Sequence, residues 1–128
     1  MIERISPPGV PAPRGPYSPA VRAGDSIYVS GQVPIDPAIN KFVGGDVKQQ
    51  TRRVLENIQS ILSGCGASMA DVVRCGVYLT NAADFAPMNE VYAEFFGDAK
   101  PARTTIIVAA LPLPDAKVEI DAVAYTPR

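Results

Sequence analysis

An apolar stripe along residues 47–62 constrains the fold of this chain more than any other feature of its sequence. Its members recur every three or four residues, at Val47, Thr51, Val54, Leu55, Ile58, Ile61 and Leu62. This spacing predicts an amphipathic α-helix. Asp46 and Gln49 make a capping-box pair at its start, and Gly64 and Gly66 end it. Such a helix must pack its stripe against another layer of structure.

Segments of alternating apolar and polar residues predict that other layer. Four strands are predicted, over Ser26–Ser30, Asp71–Leu79, Arg103–Val108 and Val118–Tyr125. A second helix is predicted after Asp84, which is placed to cap it, with Pro87 in its first turn and Gly97 at its end. The order strand, helix, strand, helix, strand, strand predicts an α+β fold, with two helices packed on one face of a mixed β-sheet.

The remaining features concern the arm, the domain count and the second face of the sheet. The proline-rich segment 7–19 predicts an irregular arm, because proline fixes φ and removes backbone donors. A chain of 128 residues, 47% of them hydrophobic, predicts a single domain over residues 1–128.

Val29, Ile106 and Val123 are expected on the face of the sheet away from the helices. Burial of these apolar side chains favours an oligomer that covers this face.

Charge and composition exclude several classes of function. The chain has 12 Lys and Arg residues against 13 Asp and Glu residues, a net charge of −1, so nucleic acid and membranes are not expected partners. It has no histidine, which removes Ser-His-Asp and Cys-His catalysis and histidine-based zinc sites. No membrane span and no signal peptide are evident. Cys65 and Cys75 are expected to be structural thiols, and the expected location is cytoplasmic.

Two charged residues within predicted strands are the first candidates for chemistry. Arg103 begins an apolar strand, where a guanidinium can hold a carboxylate with two parallel hydrogen bonds. A solvated arginine at a strand end is the competing interpretation. Glu119 lies within a strand and is either a solvent-facing residue or an acid–base group. Asp121 shares its face and is an alternative for the same role.

Smaller features also suggest a ligand site. Ser30-Gly31 ends a strand with a residue that lets a ligand approach the backbone, although an ordinary turn would look the same. Tyr17 is suited either to closing a pocket or to anchoring the arm. Asn89 is predicted to lie opposite the Phe85–Tyr92 stripe, as a solvated helix residue.

An ordered set of motifs extends over nearly the whole chain. It comprises Gly15-Pro16-Tyr17-Ser18, Ile27–Pro34, Gln50-Thr51, Leu55–Ile58, Gly66 with Val72-Val73, Phe85 with Met88-Asn89, Tyr92–Phe96, Pro101–Thr105 and Lys117–Ala122. This set resembles the RidA family, also called the YjgF family. The resemblance implies a fold like that of small trimeric chorismate mutases, and a barrel-like homotrimer with one cleft at each subunit interface.

The same resemblance implies an activity and a set of site residues. Family members that keep the arginine hydrolyse 2-aminoacrylate and related imines to 2-keto acids and ammonia. We expect the same reaction here, with no cofactor and no metal. The family's substrate-binding arginine matches Arg103, its water-activating carboxylate matches Glu119 and its pocket tyrosine matches Tyr17. The other substrate-binding positions implied are Ser30, Gly31, Phe85, Asn89 and Thr105.

The sequence departs from the family pattern at two places. Several other functions are also compatible with it. Thr105 stands where many members carry cysteine, and the loop Leu111–Asp115 is one residue longer than usual. A regulatory protein that binds small carboxylates is one alternative, and a deaminase of another enamine acid, such as 2-aminomuconate, is a second. RNA cleavage is disfavoured because there is no basic patch and no histidine. Chorismate mutation would need more cationic groups than Arg103 alone.

Overall fold

Six strands form one mixed sheet in the computed structural model, which describes residues 1–128. Along the chain the elements are β1 (Ile2–Ile5), β2 (Ala20–Ala23), β3 (Ser26–Gln32), β4 (Ile35–Asp36), β5 (Lys41–Phe42), α1 (Val47–Gly64), β6 (Val72–Leu79), α2 (Phe85–Phe96), β7 (Ala102–Ile107) and β8 (Val118–Tyr125). The strand order is β1-β2-β3-β8-β6-β7, and β4 and β5 form a separate ribbon. Only β6 and β7 are parallel. The predicted mixed sheet is therefore confirmed.

The α1 helix forms as its apolar stripe predicts. All seven stripe residues are buried. At the first turn, Asp46 Oδ1 accepts a hydrogen bond from the Gln49 amide at 2.9 Å, and Gln49 Oε1 accepts one from the Asp46 amide at 2.9 Å. The helix ends at Gly64, and Gly66 follows with a φ of 77° that favours glycine. Local sequence thus determines both ends of this helix.

The α2 helix connects β6 to the parallel strand β7, and its start differs from the prediction. Asp84 makes no capping hydrogen bond with its side chain. A short 3₁₀ turn precedes the helix instead, and there the side chain of Asn81 accepts from the amide of Ala83. The extra turn carries the chain directly into α2, so the expected cap at Asp84 was wrong. Gly97 ends the helix with a φ of 53°, as predicted.

Two strands near the N-terminus were not predicted. The arm 7–19 is irregular, as expected, but β1 and β2 on either side of it pair with each other. In β2 the side chain of Arg22 is 4% exposed and donates to the carbonyl oxygens of Gly24 and Thr126. A buried arginine breaks the alternation that marks a strand in sequence, because arginine is normally exposed.

Both helices pack on one face of the sheet and leave the other face without a helix. The face without helices is here called the open face, and its apolar residues include Tyr28, Ile106, Val123 and Tyr125. Val29 was expected on this face but is 4% exposed and lies in the core beneath the helices, since it alternates with Tyr28. Neither helix has the length and apolar character needed to cross a lipid bilayer.

Candidate active site

A cleft of about 580 Å³ lies beside the carboxylate of Glu119 and is here called the Glu119 cleft. Three other residues predicted from sequence also line it, namely Tyr17, Ser30 and Gly31. The segment Pro112–Pro114 of the loop before β8 closes one side. Part of the loop Leu111–Asp115 is therefore in the wall, and Glu119 opens into the cleft.

Gly31 makes room for the Glu119 carboxylate. The register of β3 against β8 shifts between Val29 and Gln32, where β3 carries one extra residue. Such a bulge changes the direction of the strand and is common beside functional sites. A Cβ atom on Gly31 would overlap Oε2 of Glu119. Any larger residue at position 31 would push the carboxylate from its present place.

Ser30 and Tyr17 attach the arm to the edge of the cleft. The hydroxyl of Ser30 donates to the carbonyl oxygen of Ser18 at 2.6 Å, and its amide donates to that of Pro19 at 3.0 Å. The hydroxyl of Tyr17 accepts from the amide of Arg14 at 3.1 Å, while the side chain stays 49% exposed. Ser30 and Tyr17 therefore line the cleft and also hold the arm in place at its edge.

Glu119 and Asp121 differ in how their carboxylates are used. Asp121 Oδ1 accepts from the amide of Gly76 at 2.8 Å, and its Oδ2 accepts from the hydroxyl of Tyr78 at 2.9 Å. The side chain of Glu119 makes no hydrogen bond or ion pair within the chain and is half-buried. Burial, with a smaller effect from Asp121, raises the pKa of Glu119 above its ordinary value. Of the two candidates, Glu119 is the one that is free to bind a proton.

Arg103 is held by aromatic rings rather than by an acidic partner. Its guanidinium carbon lies 4.7 Å from the ring centroid of Tyr92 and 5.6 Å from that of Phe85. Met88 Sδ is 4.0 Å from Nη1 of the arginine. Cation–π contacts of this kind orient the guanidinium plane and leave the N–H donors that do not point at Met88 available. Sequence analysis did not identify Tyr92 and Met88 as the neighbours of Arg103.

Three predicted residues accompany Arg103, and together with it they are here called the Arg103 group. Thr105 shares its face of β7 and is half-buried, and Phe85 is 44% exposed. Asn89 lies four residues after Phe85 and three before Tyr92, so it shares their helix face. The expectation that Asn89 lies opposite this stripe was wrong, because Asn89 is about one turn from Phe85 and about one turn from Tyr92, which puts all three on one side of α2.

The Arg103 group and the Glu119 cleft lie on opposite faces of the sheet. Arg103 pairs in register with Cys75, which faces the helices, whereas Glu119 pairs with Tyr78 on the open face. Their backbones are three residues apart along β6, roughly 10 Å, and two strand spacings apart across the sheet, another ~10 Å. A three-carbon substrate therefore cannot reach both groups within one subunit.

The thiols and acidic residues provide no further reactive centre. Cys75 is fully buried, and burial raises the pKa of its thiol above the ordinary value. Cys65 is half-buried, and neither cysteine is in a disulfide. No cluster of three or more cysteine, aspartate or glutamate side chains is arranged to hold a metal ion. The chemistry available at the site is that of a guanidinium, a carboxylate and backbone dipoles.

The fold and site define a small α+β protein with an arginine, Arg103, that has no acidic partner and with an unpaired, partly desolvated carboxylate, that of Glu119. The family model described as "Endoribonuclease L-PSP" matches residues 9–126. A "RutC family protein" from Pyrococcus horikoshii is 51% identical over 98% of each chain. The "3-aminoacrylate deaminase RutC" of Acinetobacter baylyi is 44% identical over 96% of this chain and 97% of that protein.

Solved structures show the same relationship at the level of the fold. The crystal structure of RidA from an Antarctic Psychrobacter species superposes with a TM-score of 0.91, at 40% identity, over 96% of this chain and 98% of that one. This chain belongs to the RidA family, also called the YjgF family, which confirms the resemblance noted in its sequence. The predicted fold is confirmed by the same match.

Proposed function

We propose that this protein is a cofactor-independent deaminase that hydrolyses 2-imino and enamine acids, such as 2-aminoacrylate, to 2-keto acids and ammonia. The observation that carries this proposal is the free Glu119 carboxylate in its cleft, next to an aspartate whose oxygens are already occupied. A carboxylate that is partly desolvated and unpaired is suited to take a proton from water near neutral pH. The Acinetobacter relative is named a 3-aminoacrylate deaminase, and its named substrate is also an enamine acid, with the amino group on carbon 3 instead of carbon 2.

In the first step a water molecule adds to the imine carbon. The enamine first takes a proton at its β-carbon and becomes an iminium, whose C=N carbon is electrophilic. Arg103 holds the substrate carboxylate, and backbone groups near Gly31 and Thr105 complete its binding. Glu119 accepts one proton from the attacking water as the C–O bond forms, and the product is a neutral carbinolamine.

In the second step the C–N bond breaks. The protonated Glu119 returns its proton to the amino nitrogen, which makes ammonia a good leaving group. The carbinolamine hydroxyl gives its proton to solvent as the C=O bond forms and the C–N bond breaks, and ammonia departs. This proton balances the one that the enamine took from solvent at its β-carbon. The balance is one imine plus one water to one keto acid plus one ammonia, so neither an oxidant nor a cofactor is required.

The proposed site is completed by a second subunit. Arg103 and Glu119 lie on opposite faces of the sheet, so one substrate can contact both only if they come from different copies of the chain. The exposed apolar residues of the open face, including Tyr28 and Ile106, favour burial against such a copy. The assembly proposed is the homotrimer that the family resemblance implies, with one cleft at each interface.

A coupled assay tests this function. A serine dehydratase generates 2-aminoacrylate, a competing nucleophile traps it, and keto-acid release is followed with and without the protein. The wild-type protein is expected to accelerate release, and Arg103→Ala is expected to abolish the acceleration. Arg52→Ala is the matched control, because Arg52 also lies over an aromatic ring of α2, at 6.0 Å from the Phe95 centroid, but is paired with Glu94.

The outcomes separate the proposed enzyme from its rivals. Acceleration that is lost in Arg103→Ala and kept in Arg52→Ala supports imine hydrolysis at this site. Binding of a 2-keto acid without any acceleration would favour the regulatory carboxylate-binding protein instead. Equal rates for wild type and Arg103→Ala would remove the arginine from the mechanism.

A further inference from the structure

Arg14 is a basic residue in the wall of the Glu119 cleft. It lies on the irregular arm, directly before the Gly15-Pro16-Tyr17 motif, and lines the cleft together with Tyr17 and Glu119. Its Nη2 donates to the carbonyl oxygen of Asn40 at 3.1 Å, and its own amide donates to the Tyr17 hydroxyl at 3.1 Å. These two contacts fix the side chain and its backbone at the edge of the cleft.

No acidic residue of the chain neutralises Arg14. The four ion pairs in the structure join other residues. A guanidinium has five N–H donors, and the contact with Asn40 uses one of them, so most of its planar fork remains available. Glu119 is the only acidic residue in the cleft wall, and the proposed reaction requires its carboxylate for proton transfer.

The cleft also extends from Glu119 to the arm. In one subunit it has a volume of about 580 Å³ and is bounded by both Glu119 and Arg14, and a neighbouring subunit of the proposed assembly covers part of this space. If Arg103 of a neighbouring subunit holds the first carboxylate, Arg14 is a second cation with no assigned task. An arginine fork is matched in shape to a carboxylate.

We infer that the substrates of this protein include imino acids with a second carboxylate in their side chain, and that Arg14 binds that carboxylate. This inference rests on the proposed deaminase function and adds a substrate class to it. Arg14 is thus a specificity-determining residue, which acts on the end of the substrate remote from the reacting C=N bond. The neutral residues of the wall, such as Val33 and Leu113, contribute no comparable selectivity for charge.

The test compares two imines of equal chain length. An L-amino acid oxidase generates them from glutamate and from norvaline, and kcat/KM is measured for each with wild type, Arg14→Met and Arg14→Glu. Wild type is expected to favour the glutamate-derived imine. Arg14→Met is expected to lower the ratio of the two kcat/KM values by about tenfold through KM, and Arg14→Glu to lower it further. Arg4→Met, an equal change of charge at an exposed residue of β1, is expected to leave the ratio unchanged.

The results distinguish this inference from the proposed function. Hydrolysis of the norvaline-derived imine tests the function itself, and no acceleration with either imine would overturn both proposals. Normal hydrolysis with a ratio that is the same in wild type and Arg14→Met would overturn the role of Arg14 alone. A ratio that falls equally in Arg4→Met would show a general effect of charge. Calorimetric binding of 2-oxoglutarate and 2-oxopentanoate repeats the comparison without turnover, and wild type is expected to bind the dicarboxylate more tightly.

Discussion

Glu119 and Asp121 project from the same face of β8, but their neighbours use them differently. The two hydrogen bonds that Asp121 accepts, from Gly76 and Tyr78, join β8 to β6. Glu119 lines the cleft without a partner for its carboxylate, and its partial burial, with a smaller effect from the charge of Asp121, raises its pKa. At the scale of single residues, one carboxylate stabilises the sheet and the other remains available for chemistry.

Replacing Glu119 by Gln is therefore expected to remove activity without harming the fold. The loss in kcat/KM for 2-aminoacrylate should be on the order of 10²–10⁴-fold, the usual contribution of a general base. In wild type, the rate should fall as pH drops through the raised pKa of Glu119, at a higher pH than for an ordinary glutamate. Asp121→Asn is the matched control, and a similar loss of rate in that variant would contradict the assignment.

Glu119→Gln is also expected to change the stability of the protein. The folded state binds the Glu119 proton more tightly than the unfolded chain does, because the pKa of Glu119 is raised on folding. As pH rises above the ordinary pKa of glutamate, ionisation of Glu119 therefore lowers the free energy of unfolding. Glutamine cannot ionise, so Glu119→Gln should be more stable than wild type at pH 7, by less than about 1 kcal/mol because the side chain is half solvated. Urea denaturation at pH 7 and pH 4 should show this gain shrinking at the lower pH.

At the scale of elements, Gln50 connects α1 to the loop that forms one wall of the Glu119 cleft. The side chain is 1% exposed. Its Nε2 donates to the carbonyl oxygen of Gly45 at 3.1 Å, and its Oε1 accepts from the amide of Lys117 at 2.7 Å. Lys117 ends the loop that carries Pro112–Pro114, so the first turn of the helix fixes the entry into β8.

Gln50→Leu keeps the approximate volume and removes both hydrogen bonds. The amide of the half-buried Lys117 and the carbonyl of Gly45 then lose their partner, which should lower the free energy of unfolding by about 0.5–1.5 kcal/mol for each of the two hydrogen bonds. The loosened loop should also raise KM. Gln59→Leu is the matched control, because Gln59 is exposed on the same helix and makes no hydrogen bond with its side chain. Equal stability of the two variants in chemical denaturation would refute this link.

A helix or strand can be predicted from sequence when the residues that determine it are adjacent in the chain. The α1 helix was predicted from its stripe and capping box because both are properties of adjacent residues. The β1 and β2 strands were missed because each has four residues, and their pairing joins segments separated by the whole arm. Asp84 was assigned as a cap because sequence patterns do not reveal the short turn that moves this role to Asn81.

The candidate site was predictable to a similar extent. Arg103 and Glu119 were identified from residue type, strand context and family motifs, yet nothing in those signals shows that they face opposite sides of the sheet. That relation depends on the register of three strands, which long-range pairing decides. Arg14 was missed because a single arginine in a proline-rich arm has no local pattern. The position just before the Gly15-Pro16-Tyr17 motif was the one available signal.

At the scale of the whole molecule, the opposite placement of Arg103 and Glu119 makes a quantitative prediction about assembly. Arg103→Ala and Glu119→Gln are each expected to be inactive alone. When they are unfolded together in equal amounts and refolded, half the arginine positions and half the glutamate positions are intact. For a site shared between neighbouring subunits of a ring, about a quarter of the sites then regain both groups. A site within one subunit would regain none.

A second mixture provides the control for this experiment. Wild type is refolded with the double variant Arg103→Ala/Glu119→Gln in equal amounts. Shared sites again give about a quarter of wild-type activity, because intact groups are distributed at random, whereas sites within one subunit give about half. The two mixtures should therefore have equal activity if the site is shared. No recovery in the first mixture, with half activity in the second, would place the whole reaction within a single subunit and leave the opposite faces of the sheet unexplained.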